Sequence, residues 1–181
     1  MKIWDLLVRL LHWLLVITFI MSYTSKEQNY PLHLYSGYSL LGIIIIRFIW
    51  GFIGTYHARF KNFIYSPTIT YRYIKKLLTY QQKRYIGHNP AGGAMVMILL
   101  LMLLIISLSG IALDGAENRA GPLGESTLFY YTESIKNIHI YSSNITVGLI
   151  ILHIIGVLYS SIKHRENLIW SMLSGYKHPT D

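Results

Sequence analysis

I-H-I-Y-S-S-N-I-T-V-G-L-I-I-L-H, residues Ile138–His153, is the stretch around which the chain is organised. Its two histidines, His139 and His153, stand fourteen residues apart in an otherwise apolar, helix-length segment. On an α-helix fourteen residues rise about 21 Å in a little under four turns, so both imidazoles leave the same face. A segment this apolar lies in a membrane, where two imidazoles are costly unless each is bound to something. Two planar cofactors, one near each side of a bilayer, account for the spacing.

The composition agrees with a membrane setting. Of 181 residues, 52% are hydrophobic and only 13% are charged, about half the share of a soluble domain. There is no cysteine, which excludes disulfides, thiolate metal sites and covalent haem attachment through C-x-x-C-H. The net charge is +8. In a membrane protein such an excess belongs to cytoplasmic loops, so nucleic acid is not the expected partner.

Four apolar runs are long enough to span a bilayer, which takes about 20 residues. They cover roughly 3–23, 32–53, 92–113 and 138–162. The expected fold is an all-α integral membrane protein, a four-transmembrane-helix bundle forming one domain over 1–181. The first run has no small-x-small cleavage site and carries His12 well inside it, so it is taken as a helix and not a signal peptide. Between the second and third runs lies a long basic loop with an expected amphipathic helix around Thr68–Tyr80. Its Tyr65, Tyr71, Tyr73, Tyr80 and Tyr85 suit a headgroup belt, as do Trp4, Trp13, Trp50 and Trp170 near the span ends. The third loop, Asp114–Asn137, is Gly-rich and acidic.

Lys and Arg set the orientation. Lys2, Arg9, Arg59, Lys61, Arg72, Lys75, Lys76, Lys83, Arg84, Lys163, Arg165 and Lys177 fall on one side, and only Lys26, Arg119 and Lys136 on the other. That bias places both termini in the cytoplasm, with Glu27, Asp114, Glu117, Glu125 and Glu133 on the outer side. Each histidine then has a depth. His33 opens the second span at the outer side, level with His139; His12 lies nearer the cytoplasm, level with His153. Neutral imidazole is a good axial ligand for haem iron, and two of them close both axial positions, the ligation of an electron carrier. The pairs His12–His153 and His33–His139 therefore predict two haems. A lone membrane histidine is more often hydrogen-bonded to a neighbouring helix; four that pair by depth are harder to explain that way.

Arg47 repeats the fourteen-residue offset after His33, which puts it at the depth of His12 and His153. It either pairs with a propionate of the cytoplasmic-side haem or snorkels to the helix end. Gly37, one turn from His33, admits either a flat macrocycle or another helix; Gly42, Gly110 and Gly148 carry the same two readings. His57, His88, His164 and His178 fall in loops, helix ends or the tail and suit solvent, with His88 and His164 as candidates for binding a quinone headgroup or moving its protons.

W-D-L-L-V-R-L-L-H-W (Trp4–Trp13), P-L-H-L-Y-S-G-Y (Pro31–Tyr38), R-F-I-W-G-F-I-G-T-Y-H-A-R-F (Arg47–Phe60), G-H-N-P-A-G-G (Gly87–Gly93), the His139/His153 helix, H-R-E-N-L (His164–Leu168) and S-G-Y-K (Ser174–Lys177) form an ordered set. With it the chain resembles the bacterial di-haem cytochrome b561 family, which includes the b-type cytochrome subunits of nickel-iron hydrogenases. The resemblance implies a four-helix bundle holding two haem b groups. It implies that first-helix and second-helix histidines each pair with one on the fourth helix, here His12, His33, His139 and His153. It also implies a multi-pass protein of the bacterial inner membrane that transfers electrons between the quinone pool and a periplasmic partner, a c-type cytochrome or a hydrogenase or dehydrogenase subunit. The acidic outer loop either docks a basic patch on that partner or is simply solvated, and a homodimer is compatible with the sequence.

The alternative is a stand-alone superoxide:quinone oxidoreductase, which calls for a positive outer funnel. The outer loops hold five acids against three bases, which lowers its standing. A third class is a cofactor-free transporter or assembly factor using histidines as proton relays.

Overall fold

Among the described residues, five of the six α-helices begin at a polar residue that accepts a hydrogen bond from one of the helix's free amides. In this computed structural model, which describes every residue except Glu27, 80–83 and 178–181, α1 (Leu6–Ser25) follows Asp5, whose Oδ1 accepts from Val8 N at 2.8 Å. α2 (Tyr30–Ile53) follows Asn29, which accepts from Leu32 N at 3.1 Å. α3 (Pro67–Leu78) and α4 (Pro90–Asn118) open on prolines behind Ser66 and Asn89. Those caps accept from Ile69 N at 3.4 Å and Gly92 N at 2.7 Å. Proline suits that first position because the missing N–H has no helical partner there. α5 spans Thr132–Lys163, and α6 (Leu168–Ser174) follows Asn167, which accepts from Trp170 N at 2.8 Å.

The helices α1, α2, α4 and α5 are long and apolar enough to cross a membrane. Lateral burial within them is slight: in the most apolar window ending in α5 only 6% of residues are buried, which leaves its apolar side chains for lipid. Several boundaries differ from the hydropathy reading, α1 among them, which runs Leu6–Ser25. α2 starts at Tyr30, α4 starts at Pro90 and runs on to Asn118, and α5 starts at Thr132. Asp114–Asn118 and Thr132–Asn137, expected in the acidic loop, are helical because a helix needs apolar residues only where it meets lipid. The amphipathic helix expected at Thr68–Tyr80 is α3. Glu27, Tyr80, Lys83 and His178 lie outside the described residues.

The chain forms two compact units, to each of which all four long helices contribute. The first comprises Met1–Leu11, Arg47–Ile98 and Leu149–Asp181. Its core is Ile3, Trp4, Val8 and Ala58, with Trp50 and Met172 packed against it. Trp4 is thus a core residue and not the interfacial one expected, because the residues before α1 fold inward. The fold of that segment comes from the other end of the chain. Ile3 N and Trp4 N both donate to Gly175 O, at 2.9 and 3.1 Å, and Lys177 N donates to Met1 O at 3.0 Å. Arg9 adds a side-chain hydrogen bond to Leu173 O. Asp5 is held below the usual carboxylate range: burial works against its charge, but hydrogen bonds from Thr55, Val8 and Trp50 outweigh it. Tyr73 is buried beside Tyr85, ring centroids 5.6 Å apart, while Tyr71 stays exposed as a belt residue does. Burial and the neighbouring Tyr85 push the Tyr73 hydroxyl up to about 12.

The second unit comprises His12–Ile46 and Leu99–Gly148. Leu40 and Ile44 of α2, Leu100, Leu103 and Ile106 of α4, and Thr146 of α5 are its buried side chains near the middle. Thr146 is fully buried and gives its hydroxyl proton to Ser142 O at 2.8 Å, so no polar group is left open to hydrocarbon there.

Gly175 ends α6 with φ at +89°, and a Cβ there would lie 2.8 Å from Trp4 O. Gly175→Ala is expected to cost about 1–3 kcal/mol, the strain of a non-glycine residue in that conformation. A lower melting temperature of the detergent-solubilised variant checks it.

Candidate functional site

An imidazole in hydrocarbon has two nitrogens to satisfy, and the structure shows how one of each is met. In the second unit His33 on α2 and His139 on α5 approach with ring centroids 6.1 Å apart and planes at 87°. His33 Nδ1 lies 2.8 Å from Ser22 O on α1 and 3.3 Å from Ser22 Oγ. His139 Nδ1 lies 3.1 Å from Ile106 O on α4 and 3.2 Å from Ser109 Oγ. A backbone carbonyl only accepts, so each Nδ1 carries its proton and each Nε2 keeps a lone pair. That tautomer is the one a metal-ligating histidine adopts, its other N–H given to a carbonyl that fixes the ring.

The space around the two rings is built for close approach. A Cβ at Gly110 would lie 3.1 Å from His139 Cε1, so glycine there admits the ring to the α4 backbone. A Cβ at Gly37 would meet nothing within 4 Å, so that face of α2 beside His33 is open. A cavity of about 110 Å³ runs past His33, Gly37, Gly110 and His139 towards Asp114. Two imidazoles with metal–nitrogen bonds of about 2.0–2.1 Å each, and roughly 1 Å more from nitrogen to ring centre, span about 6 Å; the observed separation fits one metal atom between them. The donor set suits a haem iron, and the open glycine face suits a flat ring beside it.

Beyond the rings the same cavity reaches a polar cluster that hydropathy hides. Asp114, 5% exposed, sits inside α4. Its Oδ1 accepts from the Tyr30 hydroxyl and from Asn118 Nδ2, the latter at 3.1 Å. The spacing of Asp114 and Asn118, one helical turn, was the available signal.

The other expected residues lie in part in the first unit. His153 stands on α5 and the buried Arg47 on α2. Arg47 Nη2 donates to Ala58 O at 3.3 Å, its guanidinium lies 5.1 Å from the Phe60 ring centre, and Nη1 is buried without a hydrogen-bond partner. A simple snorkelling arginine would place that group in solvent. His12 belongs to the second unit, edge-on to Trp13 at 5.3 Å. The structure therefore brings His33 and His139 together, while the pairing of His12 with His153 rests on helix register.

Contrary to the expectation that His88 is solvated, it is enclosed, with the Trp4 ring 4.7 Å and the Phe63 ring 4.5 Å away. Burial, then the charges of Arg47 and Lys177, push it down to about 3, and its Nδ1 is buried without a partner. His164, just past α5, is lowered by burial and by Arg84.

The architecture is that of a multi-pass helical membrane protein with a facing imidazole pair on two of its spans. The chain belongs to the prokaryotic cytochrome b561 family, which it matches over residues 3–175; as a b-type cytochrome it falls in the class that carries haem b. It is 30% identical over 161 residues to a probable Ni/Fe-hydrogenase B-type cytochrome subunit of Rhizobium leguminosarum bv. viciae, covering 80% of this chain and 66% of that one. The protein of the same description from Azotobacter vinelandii is 27% identical over 161 residues, covering 80% and 66%. That from Rhodobacter capsulatus is 25% identical over 147 residues, covering 72% and 55%. The chain thus spans between 55% and 66% of the length of these relatives. No solved structure matches it.

A neutral, half-buried His88 packed against Trp4 and Phe63 makes stability depend on pH. Unfolded, it takes up a proton below about 6.5; folded, it does so only near 3. The unfolded state binds more protons between these values, so the stability is present above pH 6.5 and falls as pH drops through that window. His88→Phe keeps a ring between Trp4 and Phe63 and is expected to flatten the fall, measured as melting temperature from pH 7 to 4.

Proposed function

We propose that this chain is a di-haem electron-transfer subunit of the bacterial inner membrane, with both termini cytoplasmic. His33 and His139 hold one haem b towards the outer side; His12 and His153 hold the other towards the cytoplasm. The observation that carries the reading is the pair of Nδ1 atoms turned to the carbonyls of Ser22 and Ile106, which leaves both Nε2 lone pairs for a metal. Haem supplies a one-electron ferric/ferrous couple when bound. The protein's part is to orient its ligands, exclude water and balance charge. Arg47, with Nη1 open, offers a propionate its partner, and Gly37 leaves room for the macrocycle.

The electron route runs between the quinone pool and a periplasmic redox partner. The names of the relatives favour a hydrogenase subunit in that role; a c-type cytochrome or a dehydrogenase has the same chemistry. The acidic residues Glu117, Glu125 and Glu133 offer a basic partner a docking face. His88 and His164 are the quinone candidates. His88, neutral with Nδ1 open, acts there as a hydrogen-bond acceptor for a quinol hydroxyl.

A reduced-minus-oxidised spectrum with haem quantitation on the purified protein tests the assignment. Two haems b per chain are expected, and one or none defeats the two-pair reading. His139→Ala is expected to remove the haem it shares with His33 and spare the other; His153→Ala is expected to do the reverse. Loss of the same haem in both variants contradicts the pairing.

A further inference from the structure

The carboxyl of Asp114 is the unusual group of the second unit. It is buried inside a membrane-spanning helix, where an acidic side chain is expensive and marks function. Its Oδ1 takes two donors, Tyr30 and Asn118, the arrangement that a carboxylate, which only accepts, calls for. Oδ2 is buried with no hydrogen-bond partner. Gly121 closes over it: with φ at +66°, a Cβ there would lie 3.0 Å from Oδ2 and 2.9 Å from the Tyr38 hydroxyl.

Two cations of the neighbouring segments are engaged elsewhere. Lys136 pairs with Glu117 at 3.6 Å, and Arg119 stacks over Phe129 at 4.2 Å. Among the described residues, no ion pair includes Asp114. The carboxylate lines the same cavity as His33 and His139. The first unit is built oppositely, with the buried guanidinium of Arg47 on the same helix that carries His33.

We propose that Asp114 sets the potential of the site at His33 and His139, a fixed negative charge that holds its haem at a lower reduction potential than the same site would have without it. The inference rests on the proposed ligands. Adding one electron to a ferric haem removes one positive charge from the site, and no proton or bond changes. A carboxylate beside the cavity favours the more positive, oxidised form, and burial strengthens that interaction relative to water.

A spectroscopic redox titration of the purified holoprotein tests this, with the outer haem identified as the component absent from His139→Ala. Asp114→Asn is expected to raise that component's potential by about tenfold in its reduction equilibrium, which is 59 mV for one electron, and to leave the other component in place. Asp114→Glu keeps the charge and is expected to stay near the wild type. Tyr30→Phe removes a donor from the carboxylate, leaves its charge less shielded and is expected to lower the potential. Asp114→Asn with both haems bound and the outer potential unmoved, or both potentials moved equally, overturns the role of Asp114. Should Asp114→Asn not retain haem, Tyr30→Phe decides: a fall supports the proposal, and no fall overturns it. Unchanged haem content in His139→Ala defeats the ligand assignment itself, a result distinct from an unmoved potential.

Discussion

Inside a bilayer no water completes the hydrogen bonding of a polar side chain, and this constraint governs the second unit of the protein. An imidazole has a donor and an acceptor to satisfy. At His33 and His139 the donor is met by a carbonyl of a different helix, Ser22 O on α1 and Ile106 O on α4. The histidines thereby tie α2 to α1 and α5 to α4 while leaving each Nε2 lone pair to bind a metal. Packing and chemistry are the same contacts here, and a change that frees either carbonyl also frees a ring.

The membrane also dictates where the remaining polarity goes. Thr146, Ser36 and Ser107 return their hydroxyl protons to carbonyls in their own helices, so they cost little in hydrocarbon. Arg47 and Asp114 cannot be silenced that way. Each keeps one buried atom without a hydrogen-bond partner, and such atoms in a native structure call for a ligand or a field to act on.

The four spans were legible in the sequence because their length and apolarity are set by the thickness of the bilayer. The meeting of His33 and His139 was legible too, since the rise per residue of a helix fixes depth. Helix ends were not. Asp114, Glu117 and Asn118 extend α4, and Thr132, Glu133 and Lys136 open α5, because hydropathy marks where lipid stops and a helix continues past it. The partners of the histidines were equally hidden: a backbone carbonyl such as Ile106 O has no side-chain signature. Trp4 and Tyr73 look like interfacial aromatics from their position, and only the inward fold of the neighbouring segments buries them.

The pairing of residues 1–4 with residues 173–177 has a consequence for biogenesis. Trp4 and Ile3 find their acceptor in Gly175, more than 170 positions later in synthesis. All four spans are therefore made before the segment ahead of the first can settle. Trp4, its indole ring a neighbour of His88 in the finished protein, gains its backbone acceptor only once residue 175 has been made. Closure of this segment is a late event by topology.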